Sequence, residues 1–150
     1  MLKFKELKKL VSKRRILRES VLKALFQLDF RPEDFDEILS DALKSVKDGN
    51  IKKDAERYLK NIHEQKTKID EIIEKHLLNW SFDRVSHIAR GVLRLGTYEL
   101  LYENDIPIEV TLDEMVEITK KYDTEESAKF INGVLDRIAK EQAPKEKFNL

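Results

Sequence analysis

Apolar residues recur along this chain every three to four positions, the period of a helix with one buried face, while the alternation that marks strands is nearly absent. The pattern predicts a first helix over 12–30, with a Lys-rich leader that could extend it backwards. A second, "PEDFDEILSDALKSV", carries Pro32 as an early residue and acids in its first turn, and Gly49 ends it. A long third helix spans 51–78, with Ile62, Ile69, Ile72, Ile73 and Leu77 on its apolar side. Ser81 reads as the N-cap of a fourth helix, 83–102, which is apolar nearly all round and so belongs at the centre of a bundle. Pro107 breaks the chain. Thr111 with Glu114 reads as a capping box opening a fifth helix, and Thr124 opens a sixth that ends near Pro144. The expected fold is an all-α bundle of about six to seven helices.

The 150 residues suffice for a single domain, 1–150, with residues 1–11 as a basic leader and 144–150 as a tail, both candidates for flexibility. Formal net charge is zero, but residues 1–23 hold nine Lys/Arg against two Asp/Glu, leaving an acidic body. A basic arm on an acidic body points to a polyanion bound at one end. There is no cysteine, so thiolate and zinc–sulfur chemistry are excluded. No apolar run reaches the roughly 18 residues that span a bilayer, and no signal peptide is recognisable, so a cytoplasmic location is expected.

Catalytic patterns are missing. None of His63, His76 and His87 has Glu three residues before it, and no two lie four apart, so neither a di-iron bundle motif nor a helical zinc pair is present. There is no nucleophile elbow and no phosphate-cradling glycine loop. No enzyme, metal site or cofactor is expected.

The first helix carries the main candidate site. Lys13, Arg14, Arg15 and Arg18 crowd its expected opening turns, where exposed N–H groups disfavour cations by roughly 0.3–1 kcal/mol each. At about 100° per residue, Leu17, Val21, Ala24 and Leu28 form the core seam, with Arg18 about 90° and Arg15 about 150° away. A phosphate backbone would repay such a cluster; the plainer alternative is a solvated basic face paired with the acidic body. Leu22 and Phe26 fall nearly opposite the seam, facing another helix or a partner protein. Arg94, within the apolar fourth helix, calls for an internal ion pair or a ligand. Phe130, about 90° off the core stripe of its helix and preceded by Lys129, is either a base-stacking aromatic or a core-edge residue.

Four blocks, "RRILRESVLKALFQLDF", "IDEIIEKHLLNWSFDRVSHIARGVLRLGTYELLY", "IPIEVTLDEMVEITKKY" and "SAKFINGVLDRIAK", together resemble the NusB family of bacterial transcription antitermination factors, in order from about residue 14 to 140. The resemblance implies two small helical bundles sharing a long helix, and RNA binding without catalysis. It implies loading onto single-stranded boxA RNA of ribosomal RNA operons together with the small-subunit ribosomal protein that acts as NusE, and thereby action on the RNA polymerase elongation complex. By position, the family's arginine-rich motif falls on Arg14, Arg15 and Arg18, with Lys13 adjoining, and a second RNA segment on Glu126, Ser127, Lys129 and Phe130. Protein-partner contacts fall on Phe26, with Leu22 beside it, and on the pair Ala89–Arg90, where many relatives carry an acid at the first position. A helical adaptor that binds only protein, and a homodimer closing over Leu22 and Phe26, are the competing expectations.

Overall fold

The structure, a computed structural model, describes residues 3–150; residues 1–2 and the side chains of 7–12, in the basic leader and at the residue after it, lie outside the described residues. Seven α-helices follow one another: α1 (Phe4–Phe30), α2 (Phe35–Lys44), α3 (Gly49–Glu64), α4 (Lys66–Lys75), α5 (His87–Tyr102), α6 (Ile108–Tyr122) and α7 (Glu125–Gln142). Two 3-10 turns, Phe82–Arg84 and Lys145–Asn149, complete the described chain, which contains no strand among the described residues. It divides into two compact units, the first ending at Asn61 and the second running Ile62–Leu150.

In the first unit α1 packs on α2. Its buried face is broader than the expected seam: Leu17, Arg18, Val21, Leu22, Ala24, Leu25 and Leu28 are all less than a tenth exposed. At about 100° per residue these positions span roughly 160°, with Val21 and Leu25 near the middle, Leu22 at the far edge and Arg18 between Leu25 and Leu22. A seam drawn through Leu17, Val21, Ala24 and Leu28 traces only one side of that face. Helix α1 also begins earlier than expected, the Lys3 N–H being accepted by Glu6 Oε2 at 3.1 Å. Lys13 therefore stands about 14 Å inside the helix at 1.5 Å per residue, beyond the single turn over which the dipole acts. The penalty inferred for cations at the helix opening does not apply.

Pro32 lies in a turn ahead of α2, and Gly49 opens α3 where the end of a helix was expected. Asp48 explains the second difference. Its Oδ1 accepts the N–H groups of Asn50 (2.9 Å) and Ile51 (3.0 Å), which is N-cap chemistry. The helix expected over 51–78 is interrupted at Gln65. No glycine or proline marks the site, but residues 63–68, HEQKTK, offer no apolar side chain to hold that turn regular.

In the second unit α5 is central, packing on α4, α6 and α7. At Gly96 the approach of α7 is so close that a Cβ would meet Leu135 Cδ1 at 2.7 Å. Arg94 is 7 % exposed and forks onto Asp70 of α4, Nε to Oδ1 at 2.8 Å and Nη2 to Oδ2 at 3.1 Å, the internal ion pair that its position demanded. Thr111 is no cap. Pro107 precedes the first residue of α6, and the buried Thr111 hydroxyl donates to Glu99 Oε1 at 2.7 Å. Nor is residues 144–150 a loose tail: Lys147 is buried, and its Nζ donates to the carbonyls of Glu99 (2.8 Å) and Leu100 (3.1 Å) near the end of α5. Burial lowers the pKa of that ammonium below the ordinary lysine value.

Candidate nucleic-acid interface

On α1 the four basic positions separate. Arg15 is exposed, Arg14 is partly buried, and Lys13 pairs with Asp48 at 3.1 Å while keeping about half of its side chain exposed. The caps on Asn50 and Ile51 and the ammonium of Lys13 hold the Asp48 carboxyl below the usual carboxylate range, the Ile51 hydrogen bond most strongly. Arg14 Nη1 is buried with no hydrogen-bond partner among the described residues. Arg18 was expected to point outward or sideways; it is 3 % exposed, because the buried face extends past it to Leu22. Arg15 and Arg18 both engage other groups of the chain.

The apolar pair on α1 separates too. Leu22 is 2 % exposed and does not stand on the surface, which corrects its outward placement. Phe26 is partly buried and meets the exposed Phe30 edge to face, ring centroids 5.2 Å apart. Two aromatic rings one helical turn apart thus reach solvent at the end of α1.

In the second unit, Thr124 caps α7 by accepting the Ser127 N–H at 3.0 Å, as its position in the sequence predicts. Helix α5 is capped by Ser86, which accepts the Ala89 N–H at 3.1 Å; Ser81 precedes only the 3-10 turn and makes no side-chain cap. The carboxylate of Asp123 joins the two caps, Oδ2 accepting from Ser86 Oγ and from Ser127 Oγ, each at 3.1 Å. Around this point opens a pocket of about 260 Å³ whose lining includes Trp80, Arg84, Ser86, Glu126, Ser127 and Phe130. Trp80 and Phe130 meet edge to face, centroids 6.2 Å apart at 62°. Glu126 and Lys129 are exposed and Phe130 is partly buried.

Ala89 also lines the pocket but is only 2 % exposed, so the second expected partner position offers little surface. Arg90 turns back on its own chain. Its Nε donates to the Val85 carbonyl (2.9 Å) and its Nη2 to that of Asp83 (2.8 Å), and its guanidinium lies 5.6 Å from the Phe82 ring centroid. Arg94 lies over the same ring at 5.1 Å. Two arginines therefore fasten the 82–84 turn. Among the described residues no His, Asp or Glu cluster could hold a metal, and no helix is long and apolar enough to cross a membrane.

A model of the NusB family matches residues 15–140. The chain belongs to the NusB family. The transcription antitermination protein NusB of Fervidobacterium nodosum is 60 % identical over 141 residues, covering 94 % of this chain and all of that protein. Its Thermotoga maritima counterpart is 56 % identical over 138 residues, 91 % of this chain and 97 % of that one. A solved T. maritima NusB structure superposes with a TM-score of 0.87 at 55 % identity, over 91 % of this chain and 97 % of that one. A NusB chain crystallised with NusE and double-stranded RNA gives 0.79 at 31 % identity, over 86 % of this chain and 97 % of that one.

Against this NusB background, Trp80, Arg84 and Ser86 are pocket residues that the sequence left unnoticed. The signal was present. Trp80 is the chain's sole tryptophan, and it sits in the polar break between two strongly apolar segments. A large aromatic in a stretch too polar to bury it fully suits a recognition surface.

Proposed function

We propose that this NusB-family chain is a transcription antitermination factor that binds boxA-type RNA jointly with the ribosomal protein acting as NusE, in support of ribosomal RNA transcription. What carries the reading is membership of the family, one of whose chains was crystallised with NusE and RNA. Local geometry supports it. The exposed Arg15 and the half-exposed Lys13 lie in a strongly basic segment suited to counterion-releasing contacts with phosphates. Glu126, Ser127, Lys129 and Phe130 lie at or beside a pocket with aromatic walls, suited to unstacked bases. The Phe26–Phe30 pair supplies the apolar, aromatic surface typical of protein contacts. The family carries no expectation of catalysis, and the cytoplasm is the compartment in which nascent RNA and ribosomal protein meet such a factor.

Titration of a boxA-type RNA at two salt concentrations, with and without the ribosomal partner, tests the whole reading. Salt-sensitive RNA affinity that the partner raises is the expected result, since two tethered contacts reinforce one another. A partner-only interaction with no RNA affinity in any condition would establish the protein-binding adaptor instead.

A further inference from the structure

The Trp80 pocket has features that general RNA affinity does not require. Asn79 is the one non-glycine residue with positive φ (63°) among the described residues, a conformation asparagine tolerates better than most. It precedes Trp80, a residue 51 % exposed whose ring stands against Phe130. Beyond Trp80, the 82–84 turn is pinned by Arg90 and Arg94, as described. A costly backbone conformation and a clamped turn thus flank an aromatic ring that is half in solvent.

The two rings meet at 62° and form two walls of a notch. A planar ring system entering it lays its face on one wall and its edge on the other, both favoured aromatic geometries. At about 260 Å³ the pocket falls below the usual range of about 300–1,000 Å³ for small-molecule clefts, and suits one ring system better than a larger ligand. Apart from Val85 and Ala89, the rest of its lining is polar. Ser86 and Ser127 already serve Asp123, while the exposed Glu126 carboxylate is an acceptor suited to an amino group or ring N–H at a base edge. Arg84 is exposed at the same pocket and brings the cation that an adjoining phosphate needs. An apolar peptide side chain would leave these polar groups without use.

We propose that Trp80 and Phe130 form a receptacle for a single unstacked nucleobase of RNA, with Arg84 at its edge for the neighbouring phosphate. The inference rests on the RNA-binding reading above and names the chemical moiety and the residues that take it.

Because Trp80 is the only tryptophan, its fluorescence reports on this pocket alone. The full-length chain is titrated with a short single-stranded boxA-type RNA, then with strands carrying one abasic position at a time, while affinity is followed separately by polarisation of a labelled RNA. The expected result is quenching of Trp80 emission on binding and its loss for one abasic position. Trp80→Ala should weaken RNA binding about tenfold or more, and Trp80→Phe should restore most of it. Circular dichroism of the variants checks that the fold is kept, and the wild-type quenching needs no variant at all. RNA binding with unaltered Trp80 emission for every strand would overturn the receptacle and leave the RNA reading standing. A Trp80 response to the ribosomal protein alone would overturn it in favour of a protein contact. Failure of RNA to bind at all would remove both readings.

Discussion

Replacing Asp70 with Ala tests the internal ion pair between α4 and α5. The change takes from the Arg94 guanidinium, 7 % exposed, its paired carboxylate and the 2.8 Å and 3.1 Å hydrogen bonds to it. Removing one partner of a buried pair costs about 3–5 kcal/mol, because the other charge stays buried without compensation. Two features place this case at the lower end. The Asp70 side chain is 23 % exposed, so water can enter the space it leaves, and the Phe82 ring continues to face the cation at 5.1 Å. The expected loss is therefore about 3 kcal/mol, equivalent to roughly 6–12 °C in Tm for a chain of this size. Urea unfolding followed by far-UV circular dichroism measures it. The double variant Asp70→Leu/Arg94→Met should recover most of the loss, since an apolar pair of similar bulk removes the buried charge as well. A loss below about 1 kcal/mol for Asp70→Ala would refute the reasoning, because that is the range of a solvated surface pair.

Three further outcomes follow from the same contacts. Asp48→Asn keeps an N-cap side chain but releases Lys13, so RNA affinity should rise and the salt slope steepen by up to about 0.7–0.9, the increment for one more phosphate contact; unchanged affinity at both salt concentrations would place Lys13 off the RNA path. Phe26→Asp should abolish binding of the ribosomal partner in a pull-down or calorimetric titration with the helical content intact, and partner affinity that survives would exclude that end of α1 from the interface. Lys147 has a folded pKa lowered by burial, so between that value and its ordinary 10.5 the unfolded chain binds the extra proton and this group makes stability rise with pH. Lys147→Met should remove that component from urea midpoints measured across the alkaline range, and should cost about 1.5–3 kcal/mol at neutral pH through the two ammonium–carbonyl bonds.

Helical class, the central position of α5, the Thr124 cap and the internal partner of Arg94 were all legible in the sequence. Each follows from a local rule: period, capping chemistry, or the cost of an unpaired buried charge. What escaped depended on neighbours. Leu22 and Arg18 looked peripheral because a narrow seam through Leu17 and Val21 accounts for the obvious apolar residues, yet α1 buries a face wide enough to take both. Ser81 and Thr111 satisfied the sequence signatures of caps. Ser86 and Pro107 took those places, and the Thr111 hydroxyl was drawn inward by Glu99, a partner on another helix. The start of α1 was obscured because a Lys-rich stretch reads equally as leader or as helix. The pocket was illegible because Trp80 and Phe130, fifty residues apart, meet only once the second unit has folded.

The carboxylate of Asp123 is a rivet between the starts of two helices. With both serines fastened to it, the floor beneath Trp80 and Phe130 is shaped before any guest arrives, and little ordering is left to be done on arrival. Encounter should then proceed without a slow rearrangement, and variants along the pocket wall should differ mainly in how long the guest stays.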